Sequence, residues 1–383
     1  MAKKIKFISY GLGKIGKGAA RILISRAGTE MVGVIDADPK LIGKDAAEVL
    51  GLNRQLGVRV SDDPEETLSK IEADIVILAT RSWINEVYPE IALAMKYGKN
   101  LVTSAEEITN PWSNLSNYAR KIDAQAREAG VSVFGTGCGN FFSYPLIAAL
   151  VGDSEEVEEI HASMVFDLAE LPAGIGWDSV RRGPTSVGWT VEEFNRMWVE
   201  HIKAGAHSEK GKRSTLAPIQ LTPLLADTLG WKLERIEQSL RPVTSKHSKK
   251  YGDLVVEPGK TCGQVTHTAG IMDGKEVITH DWHYHLDPEQ DGIKQGFNVE
   301  IKGLPKIEAS YEWDICQISP QAQIGNEATY RAIANAVPFV VSAPPGLVTF
   351  MDLPTITYVK DLSKMSKRLN EGLPVTYVRP AGP

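Results

Sequence analysis

From residue 4 to about residue 137, short apolar runs rich in β-branched residues alternate with helical stretches, and no other feature of the chain constrains its fold as much. The runs cover residues 5–10, 31–36, 74–80, 100–104 and 131–135. They read as strands buried on both faces. Between them, residues 15–26, 63–71, 84–97 and 111–129 carry helical patterns. Parallel strands need long crossover connections, which helices supply, so the pattern predicts a doubly wound parallel sheet with helices on both faces.

The first run ends in Gly11-Leu12-Gly13-Lys14-Ile15-Gly16, a G-x-G-x-x-G segment with a strand before it and a helix after it. The second run ends in Asp36, about 20 residues on, as the dinucleotide-binding pattern of a Rossmann domain requires. Gly13 lets a pyrophosphate approach the positive end of the helix, and the Asp36 carboxylate can accept both hydroxyls of an adenine ribose. Asp36-Ala37-Asp38 sets negative charge where a 2′-phosphate would sit, which favours NAD; Lys40 close by leaves NADP admissible. In such a sheet the carboxyl ends of the strands face the ligand crevice. Ala79-Thr80-Arg81 and Ser104 therefore belong near the cofactor, and the adjacent Glu106 and Glu107 are candidates for acid/base work or for a solvated lead-in to the next helix.

Beyond residue 142 the pattern changes to alternating strands at 160–168, 261–272, 277–286 and 296–302, with helices at 190–202 and 215–229. The prediction is an α/β Rossmann domain over 1–142 and an α+β domain with a mostly antiparallel sheet over 143–322. The second domain would carry the substrate pocket and the dimer contact. A C-terminal segment, 323–383, has a helix at 327–336 that packs back on the first domain.

Composition narrows the function classes. With 42 Lys and Arg against 48 Asp and Glu in 383 residues, the chain carries a formal charge of −6 and offers no basic face for nucleic acid. Cys138, Cys262 and Cys316 are too scattered for a disulfide framework or a CxxC metal site, and suit a reducing compartment. No apolar stretch reaches the roughly 18 residues of a membrane span, so a cytoplasmic protein is expected.

Several segments resemble those of the 2,4-diaminopentanoate dehydrogenase and native amine dehydrogenase family, whose fold is like that of dihydrodipicolinate reductase. They are GLGKIGKGAARIL at the start, TSAEEITNPW, SVRRGPTSVGWTVEEF, LADTLGWKLERIEQSLRPV, and GNEATYRAIANAVPFVVSAPPGLVTFMDLP near the C-terminus. The resemblance implies NAD(P)-dependent oxidative deamination: hydride passes from the amine-bearing carbon to nicotinamide, and water converts the imine to ketone and ammonia. It also implies that one glutamate of the pair, Glu106 or Glu107, removes a proton from the amine or activates the water. Where members often have Asn-Pro-Gly after the last strand of the first domain, this chain has Cys138-Gly139-Asn140-Phe141-Phe142. Within residues 204–214, only His207 corresponds to the family's Gly-His-Val-Gly.

Asn140, Phe141, Phe142, Phe166 and Trp177 are candidates for an apolar substrate pocket or for plain core. Arg181 and Arg182 could hold a substrate carboxylate bidentately or form surface ion pairs. The segment His280-Asp281-Trp282-His283-Tyr284-His285 has histidines at strand spacing, but without a partner motif it reads as a solvated or interface strand, and no metal is expected. Residues 246–250 read as a solvated lysine-rich loop and 360–383 as a surface tail. The reading is thus a homodimeric NAD(P)-dependent amine dehydrogenase, acting on a diamino acid or alkyl amine. The rivals are a dihydrodipicolinate reductase-type or diaminohexanoate dehydrogenase-type oxidoreductase and an inactive NAD-binding regulatory protein.

Overall fold

The computed structural model describes residues 4–113, 115–137, 142–170, 187–204, 217–251, 254–312 and 324–362. Its first half is a parallel sheet wound with helices. β1 (Ile5–Tyr10), β2 (Thr29–Ile35), β3 (Val60–Ser61), β4 (Ile75–Leu78), β5 (Asn100–Thr103) and β6 (Ser132–Gly135) are joined by a late strand, β15 (Gly346–Val348), in the order β15-β6-β5-β4-β1-β2-β3. Every pairing in it is parallel. The strand order reverses between β1 and β4, and the crevice above their carboxyl ends is where such sheets take ligands. All four side chains of β4 are buried, as its uninterrupted apolar run requires.

The crossovers are α1 (Lys14–Ser25), α2 (Ala46–Leu50), α3 (Pro64–Lys70), α4 (Ile84–Lys96) and α5 (Ser116–Ala129). Local chemistry sets several of their ends. The Asp63 carboxylate accepts from the Glu66 N–H at 2.8 Å, with Pro64 preset at the first position of α3. Gly130, at φ 68°, closes α5 in the left-handed conformation.

The second half begins with α6 (Ile147–Val151) and β7 (Glu156–Asp167), followed by α7 (Val191–Ala204), α8 (Ala217–Leu229) and β8 (Arg235–Thr244). A hairpin of β9 (Lys249–Tyr251) and β10 (Leu254–Val256) then leads into β11 (Thr261–Met272), β12 (Lys275–His285), β13 (Gly296–Leu304) and β14 (Ile307–Tyr311). The six-stranded sheet has the order β14-β13-β7-β12-β11-β8 and is antiparallel except where β7 runs parallel to β12. One face buries Ile160, Met164, Ile278, Trp282 and Phe297 in the same apolar cluster as Leu221 and Leu224 of α8. The other face, with His161, Ser163, Asp281 and Asn298, lines an open concavity of about 720 Å³.

The chain then returns to the first sheet. α9 (Ile324–Val341) packs along α1, where the Tyr330 ring fills the space a Cβ on Gly18 would need, and β15 extends the sheet beyond β6. Two expectations fail here. Lys249 is fully buried rather than part of a solvated loop, and β12 is an inner strand whose His280 and His285 are buried. In both cases charge or polarity in the sequence suggested solvent, whereas inside the fold Lys249 donates to Leu286, Asp287 and Asp291, and one ring nitrogen of each histidine pairs, His280 with Thr222 and His285 with Asp291.

Candidate active site

The glycine segment forms a cradle between β1 and α1. Gly11 has φ 92°, and a Cβ there would lie 2.7 Å from the carbonyl oxygen of Ala79 at the end of β4. A Cβ on Gly16 would fall on the carbonyl oxygen of Gly11. Gly13, by contrast, has open space around it at the amino end of α1. Two glycines thus let the backbone close up, and the third leaves room for a phosphate at a helix N-terminus, so the segment fits the pyrophosphate of a dinucleotide. Asp36 holds the cradle: its carboxylate accepts from the Leu12 N–H at 2.6 Å and from the Asp38 N–H at 2.8 Å. Lys14 and Ile15 begin α1; burial holds the Lys14 ammonium below its usual pKa, while Glu327 of α9 opposes the shift.

Thr80 and Arg81 follow β4 directly. The Thr80 hydroxyl donates to the Glu90 carboxylate of α4 at 2.5 Å, and burial raises the Glu90 pKa despite that bond and the Arg81 charge. Tyr10, at the end of β1, is pushed up to about 12 by burial and then by Glu90. The Ser104 N–H continues the β4–β5 ladder by donating to the Leu78 carbonyl at 3.2 Å. These predicted cofactor positions therefore gather at the ends of β1, β4 and β5.

The two glutamates sit together on a single 3-10 turn, Glu106–Ile108, just after β5, but their environments differ. Glu107 is 3% exposed, and its carboxylate accepts from the Ile84 N–H at 2.7 Å, capping α4 across the crevice. Glu106 is half-buried, and its carboxyl is raised above the usual range by desolvation first and by the Glu107 charge second. The helix dipole does attract a carboxylate here, but the helix is α4 and not the one that follows in sequence.

The turn also meets the second domain. The Gln220 carboxamide of α8 accepts from the Asn110 N–H at 2.7 Å and donates to the Glu107 carbonyl at 3.1 Å. The Asn110 side chain donates in return to the Gln220 carbonyl at 3.0 Å. From the other side the turn lies against β6, where a Cβ on Gly135 would come within 2.5 Å of the Ile108 carbonyl carbon. Gln220 was not among the sequence candidates; its signal is a glutamine set in the apolar run Ala217-Pro218-Ile219-Gln220-Leu221.

Phe166 stacks on Tyr284 with ring centroids 5.3 Å apart and meets Trp282 edge-on, on the same sheet face as His280. Asn140, Phe141, Trp177, Arg181, Arg182 and His207 lie outside the described residues, as does the side chain of Phe142. Away from the crevice, Cys262 Sγ, His285 Nε2 and an Asp291 carboxylate oxygen lie within 4.8 Å of one another. The Lys249 ammonium occupies the same spot: it donates to Asp291 at 2.7 Å, to the Leu286 carbonyl at 2.8 Å and to the Asp287 carbonyl at 2.9 Å. The cation facing this carboxylate is thus the protein's own.

Two family models match the chain. The 2,4-diaminopentanoate dehydrogenase C-terminal domain covers residues 141–368, and the dihydrodipicolinate reductase N-terminus covers residues 5–123. The chain is 30% identical over 357 residues to a 2,4-diaminopentanoate dehydrogenase of Acetoanaerobium sticklandii, spanning 92% of this chain and 94% of that protein. It is 23% identical to an amine dehydrogenase of Streptomyces virginiae over 91% of this chain and 96% of that protein. Among solved structures, an amine dehydrogenase from Mycobacterium smegmatis superposes with a TM-score of 0.74 at 25% identity, covering 93% of this chain and 98% of that one.

Proposed function

The chain belongs to the 2,4-diaminopentanoate dehydrogenase family, and we propose that in it Glu106 is the base of amine oxidation while Glu107 builds the site. The protein is an NAD(P)-dependent oxidoreductase acting on amines. Its proposed substrate is a small primary amine, either a diamino acid such as 2,4-diaminopentanoate or a simple alkyl amine, converted reversibly to a ketone and ammonia.

The asymmetry of the glutamate pair carries the assignment. Glu107 is buried, and its carboxylate is committed to the amino end of α4. Glu106 keeps partial access to solvent and has a raised pKa. An ammonium substrate has no lone pair to assist oxidation, so a base must first take its proton. A carboxylate whose pKa is lifted toward the working pH does so more effectively than an ordinary one. Bound NAD supplies the hydride acceptor. For the dinucleotide, the proposed contacts are Gly11, Gly13, Lys14, Ile15 and Gly16 at the pyrophosphate, Asp36 at the adenine ribose, and Ala79, Thr80, Arg81 and Ser104 along the strand ends. Once the proton has left, the Glu106 carboxyl can return it to the leaving amine or direct water to the iminium carbon; its negative form also stabilises the developing positive charge.

The test is NADH appearance at alkaline pH with a panel of amines, diamino acids and amino acids. Glu106→Gln should lower turnover by about 10²–10⁴-fold with NAD binding retained. Glu107→Gln keeps an acceptor for Ile84 and should be milder. Near-normal turnover in both variants and in the double variant would remove the pair from the chemistry. We further propose a homodimer that pairs through the open face of the six-stranded sheet, and a cytoplasmic location, the latter supported by three scattered cysteines of which Cys262 is a buried free thiol.

A further inference from the structure

We infer that Gln220 is a positioning residue for amine oxidation, holding the turn that bears Glu106 in register between the two domains. This inference rests on the reading of Glu106 as the base. Gln220 is fully buried in a stretch of α8 whose other buried side chains are chiefly apolar, where an unpaired carboxamide would be costly. It is not unpaired: among the described residues its side chain bonds the Asn110 N–H and the Glu107 carbonyl, and its own carbonyl accepts from the Asn110 side chain, all in the Glu107–Asn110 segment of the other domain.

The pairing demands an amide. The side chain must accept from one backbone N–H and donate to one backbone carbonyl at the same time, which neither a carboxylate nor an apolar group can do. Two further contacts hold the turn. Glu107 is tied to the Ile84 N–H, and Gly135 of β6 leaves no room for the Ile108–Thr109 backbone to retreat. Two residues along α8, the Thr222 hydroxyl lies 3.2 Å from Nδ1 of the buried His280 on β12. The frame therefore runs from the centre of the second sheet, through α8, to the backbone beside Glu106. Among the described residues the charged group acting on the Glu106 carboxyl is Glu107, which moves with the same turn. Releasing the turn would displace the base by an amount that matters, since an ångström of misplacement can cost about 10²-fold in rate.

The experiment replaces Gln220 by Met, which is similar in size and has no amide. In the folded Gln220→Met protein kcat should fall by about 10- to 10²-fold, with the amine KM and the NAD dissociation constant near wild type. The acid limb of the kcat–pH profile should move down toward the ordinary carboxylate range as the carboxyl regains water. Added to Glu106→Gln, the same substitution should cause no further loss. Wild-type kcat with an unmoved acid limb, or a loss confined to KM, would overturn the inference. If Gln220→Met does not fold, Asn110→Ala removes one of the three bonds and is judged by the same two readings. A Glu106→Gln protein with normal turnover would remove base and positioning together; an inactive Glu106→Gln beside a normal Gln220→Met would remove the positioning alone.

Discussion

At the scale of single residues, two neighbouring glutamates of identical chemistry are separated by their surroundings. Glu107 caps a helix while Glu106 keeps a raised pKa beside it. As the proposed base, Glu106 would work only when ionised, so kcat should fall as pH drops through its pKa, at a pH above the roughly 4.3 of a free glutamate. The same shift acts on stability with a fixed sign. A carboxyl whose folded pKa lies above its unfolded value binds protons more readily in the folded state, so it costs stability as pH rises through that window. Glu106→Gln should accordingly raise the melting temperature at neutral pH and lose that advantage near pH 4; an unchanged difference across that range would contradict the shift. Asp36 already holds the Leu12 and Asp38 N–H groups, and the proposed ribose contact would be a second role for the same carboxylate. Asp36→Ala should raise the NAD Michaelis constant and improve relative use of NADP; an NADP/NAD ratio already at or above one and untouched by the substitution would remove Asp36 from cofactor choice. The glycine motif and the Glu pair were legible in the sequence because their meaning is local. Which glutamate caps a helix was not, because Ile84 lies 23 residues away from Glu107.

At the scale of elements, the strand–helix alternation of the first domain follows from runs that are apolar on both faces. β3 and β15, of two and three residues, are too short for any periodicity to show. β9 is the instructive failure. Its Lys249 comes from a lysine-rich stretch and yet has a fully buried ammonium, because the hairpin packs against the end of β12 and the turn carrying Asp291. At Asp291, burial pushes the carboxyl up, but the bonds from Lys249 and His285 together bring it below the usual range. Its stabilising contribution is therefore present at neutral pH and lost as pH falls through that lowered value. Lys249→Met leaves the Asp291 carboxylate buried without its cation and should destabilise the protein by about 3–5 kcal/mol in denaturant titration. Adding Asp291→Leu should recover much of that loss; a single substitution costing under about 1 kcal/mol would show that the pair does not support the hairpin.

At the scale of the whole molecule, the two domains meet where the proposed chemistry is: the turn after β5 is bonded to α8, while α9 and β15 carry the chain back to the first sheet. Among the described residues, the second sheet has one face covered by α8 and the other forming an open concavity with partly exposed polar groups. The proposed homodimer would cover that face. Sedimentation at micromolar concentration should give twice the chain mass, and a monomer alone would count against the pairing. By itself the sequence determined the parallel sheet, the glycine cradle, the carboxylate pair and the family, because each is written in residues close together or in long segments shared with relatives. Only the tertiary structure decided which carboxylate caps a helix, that Gln220 binds the turn beside it, and that a lysine and two histidines are interior. Those properties depend on hydrogen-bond partners as much as 113 residues apart, from Gln220 to Glu107, and on burial that no local pattern encodes.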